Sequence, residues 1–178
     1  MSNLAGRRVA VLLTDGFEQV EMTEPRKALE AAGAQVDLVA PESGQVQGWN
    51  HTDPADAFPV DRTLAEVSAD DYQAVLLPGG VVNADTIRVD DKAQALVKAF
   101  EAQGKPIFVI CHGAWLLASA GLVKGRRITS WPSLQDDLRN AGADWVDEQV
   151  VVDGPLISSR KPDDLPAFNQ AIVDALAG

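Results

Sequence analysis

The sequence is poor in the residues that build disulfides and metal sites. It contains one cysteine and two histidines among 178 residues. A single cysteine excludes a disulfide within the chain. Cys111, His51 and His112 are also too few soft ligands for a structural zinc site. We therefore expect no metal ion and no cofactor.

Long apolar runs and an excess of positive charge are lacking as well. No apolar run approaches the roughly 18 residues that a membrane helix needs. Fifteen lysines and arginines stand against 26 aspartates and glutamates, which gives a net charge of -11. Such a balance disfavours nucleic acids and anionic membranes as partners. The apolar run after Arg7 and Arg8 lacks the small-residue cleavage site of a signal peptide, so we expect it to form the first strand. We therefore expect a soluble, cytoplasmic protein.

Short apolar, β-branched runs alternate with segments of helical periodicity over most of the length. Residues 8–14 and Ile107–Ile110 are typical buried strands, and residues 162–176 have apolar positions at helical spacing. Alternation of this kind predicts an α/β fold, a three-layer sandwich whose mostly parallel, doubly wound sheet carries helices on both faces. We expect one domain over residues 1–178.

Two local predictions depend on proline and on turn residues. Pro25 sits poorly inside a helix, so the first helix is expected to begin near it with Thr23 as its N-cap. Residues 46–50 and 58–60 lie in a polar, glycine- and proline-containing stretch and are expected to form a small hairpin.

The only cysteine lies at the corner between a buried strand and a helix. Cys111 follows Ile107–Ile110, and Gly113 permits a sharp turn into the helix predicted over residues 114–120. Corners of this kind present a nucleophile on a strained turn. The helix N-terminus would favour thiolate over thiol, which predicts a lowered pKa. The alternative is a buried structural cysteine, since free cysteine is among the most buried residue types.

Three loops are expected to converge on Cys111, because sites in such sheets lie beyond the carboxyl ends of the strands. Gly79 and Gly80, with the N–H of His112, could bind an oxyanion, although two glycines are also typical of a plain tight turn. Glu18 and Glu21 follow the first strand. One of these carboxyls could meet the thiol with a raised pKa; the alternative is the acidity that is common near helix starts.

His112 is the natural base or orienting group beside the nucleophile. A histidine needs its second ring nitrogen to be fixed by a hydrogen-bond acceptor. Asp85, on the loop that follows Gly79 and Gly80, is a candidate. His51 lies in the irregular polar stretch and is expected on the surface.

At this point the sequence resembles the PfpI-like intracellular peptidase and protein deglycase family, whose fold is flavodoxin-like and similar to the class I glutamine amidotransferase domain. The resemblance covers nearly the whole chain. The motifs that carry it are Asp15-Gly-Phe-Glu18-Gln-Val-Glu21, Leu77-Pro-Gly-Gly80, Ile110-Cys-His-Gly113, Thr129-Ser-Trp-Pro132, Val150-Val-Val-Asp-Gly154 and Ser158-Ser-Arg160.

The resemblance implies a role for each site residue. Cys111 would be the nucleophile, followed by His112, and Glu21 would touch the sulfur with Glu18 nearby. Asp85 would complete the triad from a neighbouring subunit, which implies a homodimer or a higher homo-oligomer. Two tryptophans would contact substrate: Trp131, and Trp115, which stands where many members have a smaller residue and would narrow the pocket.

The resemblance implies a stress-related cysteine enzyme that acts on carbonyl groups. It would be either a glyoxalase or deglycase for small carbonyl compounds and their adducts, or a peptidase, because a thiolate attacks carbonyl carbon in both cases. The alternative is a redox sensor or chaperone with an oxidisable Cys111. A glutamine amidotransferase is disfavoured, since its distant catalytic histidine could only be His51.

Overall fold

Strands and helices alternate along residues 2–178, which are described by a computed structural model. These residues form twelve strands: β1 (Arg8–Leu12), β2 (Phe17–Glu18), β3 (Gln35–Ala40), β4 (Gln45–Asn50), β5 (Asp53–Pro59), β6 (Arg62–Thr63), β7 (Ala74–Leu77), β8 (Ile107–Ile110), β9 (Arg127–Ile128), β10 (Asp144–Trp145), β11 (Val150–Asp153) and β12 (Leu156–Ser159). They also form six α-helices: α1 (Val20–Ala31), α2 (Val81–Ile87), α3 (Asp91–Ala102), α4 (Ala114–Ser119), α5 (Gln135–Asn140) and α6 (Leu165–Ala177). In the same residues, no helix is both long and apolar enough to cross a membrane.

Seven strands form one central sheet in the order β11-β12-β8-β7-β1-β3-β6. All neighbours are parallel except the pair β11 and β12 at one edge. The predicted mostly parallel, doubly wound sheet is confirmed.

Both faces of the sheet are buried, which explains why its strands are apolar without alternation. In β1, Val9 and Val11 pack in the core on the side of α1 and α6, while Ala10 and Leu12 pack on the side of α3 and α4. The predicted three layers, helices on each side of one sheet, are therefore present.

The first helix begins earlier than predicted. The backbone N–H of Thr23 already donates to the carbonyl oxygen of Gln19, so Thr23 is not the N-cap, and Pro25 lies inside α1. Pro25 is the sixth residue of α1 and has no N–H to donate, so the carbonyl oxygen of Glu21, four residues earlier, loses its helical hydrogen bond. As a consequence Glu21 projects from the first turn of a helix instead of from a loop.

The predicted hairpin is present, with longer arms. β4 and β5 pair antiparallel, and β2 pairs parallel with β4 to give a three-stranded sheet beside the central one. After β9, a 3-10 turn at Pro132–Leu134 leads into α5.

One buried side chain ties the carboxyl ends of the two central strands together. The order in which successive strands are added to the sheet reverses between β1 and β7. Ligands of open α/β folds bind at such a point. Asn83 accepts a hydrogen bond from the N–H of Thr14 at 2.7 Å and donates to the carbonyl oxygens of Pro78 and Gly79 at 3.2 and 3.0 Å. It is 1% exposed.

We predict that Asn83→Ala lowers the free energy of unfolding by about 1–3 kcal/mol, because the part-buried N–H of Thr14 loses its acceptor. Urea unfolding of the variant and of the parent chain measures the difference. Asn140→Ala, at an exposed helix end, is the matched control and should stay within about 0.5 kcal/mol. Equal losses for both variants would show that the Asn83 hydrogen bonds contribute nothing specific.

Candidate active site

Cys111 sits on a strained corner directly after β8. A 3-10 turn over Cys111–Gly113 joins β8 to α4, and the φ angle of Cys111 is +62°. Positive φ is uncommon for residues other than glycine and is worth explaining when it occurs. The thiol is 6% exposed yet borders a cavity. The corner that the sequence predicted is therefore present, with its strain on the cysteine itself.

The close approach of three chain segments requires glycine at position 79. A Cβ atom there would lie 2.5 Å from Oε1 of Glu21 and 2.7 Å from Cβ of Cys111, both too close for real contacts. The missing side chain is what allows the carboxyl of α1 and the thiol after β8 to share one space. The N–H of Gly79 donates to Oε1 of Glu21 at 2.9 Å, so it is not free for the oxyanion role that we predicted.

The carboxyl of Glu21 is fully buried beside Cys111. Burial is the main cause that raises its pKa to about 8, and the negative charge of Glu18 adds to the effect. The Gly79 hydrogen bond acts in the opposite direction and does not compensate. Oε2 has no hydrogen-bond partner among the described residues. A carboxyl in this environment carries a proton at neutral pH, as the sequence predicted for the group that meets the thiol.

The prediction of a lowered thiol pKa is wrong for the resting site. Burial raises the pKa of Cys111, and a charged Glu21 raises it further, while the backbone N–H groups of His112 and Gly80 favour the thiolate and lower it. The sequence pointed to a helix start, but the cysteine opens a buried 3-10 turn, where loss of water outweighs the backbone. The hydrogen bond between the two side chains acts differently on each group, because it lowers the pKa of Glu21 and raises that of Cys111.

His112 is held between two tryptophans. Its Nδ1 lies 3.2 Å from the Cys111 sulfur, and its ring stacks on Trp131 and meets the edge of Trp115 at centroid distances of 5.6 and 5.4 Å. Burial lowers the pKa of His112 to about 4, so the imidazole is neutral at physiological pH. A neutral imidazole at this distance can accept a hydrogen bond from the thiol, although its low pKa makes it a weak base.

Trp115 does not narrow the cavity as predicted. It lies behind His112, where its indole N–H donates to Asp137 at 2.9 Å and the guanidinium of Arg88 lies 5.0 Å from its ring. Trp131 does border the cavity. The two tryptophans therefore differ in position: Trp115 supports the histidine from behind, and Trp131 supports it from the substrate side.

A cavity of about 510 Å³ opens in front of the sulfur. This volume lies in the range of small-molecule sites. The residues that line it come from the segment that runs from Gly16 through β2 into α1, the end of β4 and the β4–β5 turn, the start of α2 with the glycine before it, and the segments after β8, β9 and β12. They are Gly16, Glu18, Glu21, Trp49, His51, Thr52, Gly80, Val81, Val82, Cys111, His112, Trp131 and Pro162.

Glu18 and His51 meet at the rim of this cavity. Both carboxyl oxygens of Glu18 accept the backbone N–H of His51 at 3.2 Å, and Nδ1 of His51 lies 4.0 Å from Oε1. The His51 side chain is 77% exposed, in accord with the surface position predicted for it, but it also faces the site. Sequence gave no signal for this, since the hairpin turn that places His51 has an irregular pattern.

Asp85 is not brought to His112 within the chain. It is exposed on α2 and lies outside the cavity lining. Its supply from a second copy stays a prediction. Sequence reasoning missed the cavity residues Trp49, Val81, Val82 and Pro162, and only the position of Val81 and Val82 after the glycine pair could have suggested them.

Comparison with known proteins assigns the chain to a family. The model of the DJ-1/PfpI family matches residues 7–175. The chain belongs to the DJ-1/PfpI family. The family resemblance found in the sequence motifs is confirmed.

Relatives within the DJ-1/PfpI family span nearly the full length. A Bacillus subtilis protein named as a candidate cysteine protease is 41% identical over 170 residues, which cover 96% of this chain and 98% of the relative. A deglycase of Pyrococcus abyssi is 41% identical over 169 residues, covering 95% and 99%. The solved structure of DJ-1beta from Drosophila melanogaster has a TM-score of 0.88 at 30% identity, covering 100% of this chain and 92% of that one.

We predict that Glu21→Gln removes a pH dependence of stability. The folded state keeps the Glu21 proton up to about pH 8, and the unfolded chain only up to about pH 4.5. The folded state thus holds an extra proton across this window, and the free energy of unfolding falls as pH rises through it. From pH 4.5 to pH 8 the variant should gain on the order of 3 kcal/mol relative to the parent.

Urea unfolding at both pH values measures this gain, and the exposed Glu24→Gln on the same helix is the control. Parallel stability curves for the parent and Glu21→Gln would show that Glu21 titrates normally and contradict the raised pKa.

We also predict that the Glu21 proton supports the thiolate. At neutral pH, Glu21→Gln keeps a donor near the sulfur and should alkylate with iodoacetamide within a few-fold of the parent rate. Glu21→Leu loses the donor and should react about tenfold more slowly, which corresponds to one pKa unit. Faster alkylation of both variants would mean that Glu21 is ionised at rest and opposes the thiolate.

Proposed function

We propose that this protein is a cysteine-dependent deglycase that removes dicarbonyl-derived adducts from amines. The observation that carries the proposal is Cys111 on its strained corner, with a protonated Glu21 against the sulfur, at the base of a cavity of small-molecule size. The deglycase name of the Pyrococcus abyssi relative supports it.

The reaction can be written so that it balances with water alone. The sulfur replaces the amine at the hemiaminal carbon of R–NH–CH(OH)–CO–CH3, and the free amine leaves with a proton. Hydrogen transfer from that carbon to the neighbouring carbonyl carbon gives a lactoyl thioester. Water then hydrolyses the thioester to lactate and the free thiol. One carbon is oxidised and its neighbour reduced within the substrate, so no external oxidant is needed.

The site offers a group for each proton movement. Nδ1 of His112, 3.2 Å from the sulfur, takes the thiol proton as the sulfur attacks. Glu21, with a pKa of about 8, is poised near neutral pH to pass a proton between the two substrate carbons. The N–H groups of Gly80 and His112 lie beside the sulfur and can stabilise negative charge that develops there.

A peptidase is the second candidate, because the Bacillus subtilis relative carries that name. Acyl transfer to Cys111 would use the same thiol and histidine. An acceptor for His112 would be needed to hold its tautomer, and Asp85 of a second copy is the predicted source. That role requires an assembly of at least two copies, which stays a prediction, as does the redox alternative.

The test is turnover of an arginine derivative pre-reacted with methylglyoxal, followed by NMR of free amine and lactate. We predict that the parent chain releases both at a rate proportional to enzyme concentration. Cys111→Ser should lose about a thousandfold or more, as expected when a nucleophile is removed. Hydrolysis of an unmodified peptide by the parent, in the absence of adduct release, would favour the peptidase instead.

A rate limit separates deglycase from glyoxalase action. Hemiaminals dissociate spontaneously, so an enzyme that consumes only free methylglyoxal drains the adduct no faster than the uncatalysed dissociation. Adduct loss that rises beyond this limit with added enzyme supports direct action. Loss that saturates at the limit would contradict the deglycase and indicate a glyoxalase.

A further inference from the structure

The lining of the active-site cavity contains two carboxyl groups and no lysine or arginine. Glu18 is 8% exposed and has no guanidinium or ammonium partner among the described residues. Glu21 is fully buried, and its Oε2 atom has no partner there either. Because Glu21 carries a proton at neutral pH, Glu18 supplies the negative charge of the cavity. Among the described residues its oxygens accept only the backbone N–H of His51, at 3.2 Å, so they keep lone pairs that a cationic ligand would satisfy.

The walls of the same cavity suit a cation. Trp49 and Trp131 both border it, and Trp131 is 37% exposed at the rim. Tryptophan is the aromatic residue whose ring attracts guanidinium and ammonium groups most strongly. Aromatic walls beside carboxyl groups attract a cation and offer nothing specific to an anion.

The basic side chains near the site are already neutralised or point elsewhere. Arg160 precedes the lining residue Pro162, but it donates to Asp164 at 2.9 and 3.0 Å and to Asp147 at 2.8 Å. Arg88 lies over Trp115, on the far side of His112. The net charge of -11 adds a weaker long-range field of the same sign.

We propose that the cavity selects positively charged substrates, with Glu18 as the specificity-determining carboxylate, and discriminates against anionic carbonyl compounds. The proposal rests on the proposed function only in placing the reacting carbon at Cys111. For a deglycase, this means that adducts whose amine part carries a guanidinium group react faster than adducts whose amine part carries a negative charge.

The test labels Cys111, the only cysteine, with two methanethiosulfonates of opposite charge. One carries a trimethylammonioethyl group and the other a sulfonatoethyl group. The ratio of their rates is divided by the same ratio for 2-mercaptoethanol, which removes the intrinsic difference in reactivity between the reagents. The normalised ratio reports whether the cavity favours the cationic or the anionic reagent. We expect a normalised ratio of about ten or more in favour of the cation, from one carboxylate and one aromatic contact. A ratio near one would overturn the proposal.

Two variants separate the cavity from the rest of the molecule. Glu18→Gln keeps an acceptor for the His51 N–H but removes the charge, and it should lower the ratio several-fold. Glu24→Gln removes the same charge from an exposed site outside the cavity and should leave the ratio unchanged. Equal changes in both variants would attribute the preference to the overall net charge. Raised salt gives the same distinction, because it screens exposed charges more than buried ones.

A second measurement covers the case in which neither reagent reaches the sulfur. N-acetylarginine amide and its neutral isostere N-acetylcitrulline amide are titrated against the parent chain, followed by NMR of the tryptophan indole N–H groups. The cation should bind about tenfold more tightly, and equal affinities would overturn the proposal. Neither readout needs turnover, so charge selection and deglycase activity can fail independently.

Discussion

The contact between the buried carboxyl of Glu21 and the sulfur of Cys111 is the constraint on which the rest of the site depends. Two acidic groups share a space from which water is excluded, and burial raises the pKa of both. Glu21 raises the pKa of Cys111 further, whereas the hydrogen bond with Cys111 lowers that of Glu21 without offsetting its burial. Such a pair is unfavourable for stability wherever both would be charged. It persists because the surrounding fold leaves the two segments no other arrangement.

The fold supplies that constraint through backbone atoms more than through side chains. Because Gly79 has no Cβ atom, helix α1 and the corner after β8 can approach each other closely. The N–H of Gly79 donates a hydrogen bond that holds Glu21 in place. Asn83 fixes the ends of β1 and β7 with three hydrogen bonds. The sheet beneath is buried on both faces, so packing on both sides holds these strand ends in position.

The sequence predicts the sheet, its layers and the cysteine corner because each leaves a local signature. Apolar runs bounded by glycine and proline mark the strands, and Cys111-His112-Gly113 marks the turn. What the sequence could not reveal is how strongly burial acts at that turn, since desolvation depends on packing from distant segments. The sign of the thiol pKa shift was wrong for this reason. The predicted start of α1 is wrong because Pro25, a residue that favours the first turn, lies buried inside the helix, and no local signal in the sequence reports that packing tolerates it there.

The cavity was harder to predict for a related reason. Trp49 reaches it from the end of β4, His51 from the β4–β5 turn and Pro162 from the segment before α6. These positions are distant in sequence from Cys111 and carry no motif. Trp115 and Trp131 look alike in sequence, yet only Trp131 borders the cavity, because α4 turns Trp115 behind His112. Which side of an imidazole a tryptophan occupies depends on three-dimensional packing, and no local periodicity reports it.

A thiol that is neutral at rest and an acidic cavity act together on a charged substrate. Burial keeps the thiol neutral, and the negative charge of Glu18 would attract a cation into the cavity. A bound cation beside Glu18 would favour the thiolate and thereby lower the pKa of Cys111 toward ionisation. Thiolate would then form mainly when a positively charged substrate is present, and a thiol that stays protonated between turnovers is also less open to oxidation. A positively charged substrate would therefore activate the nucleophile that attacks it.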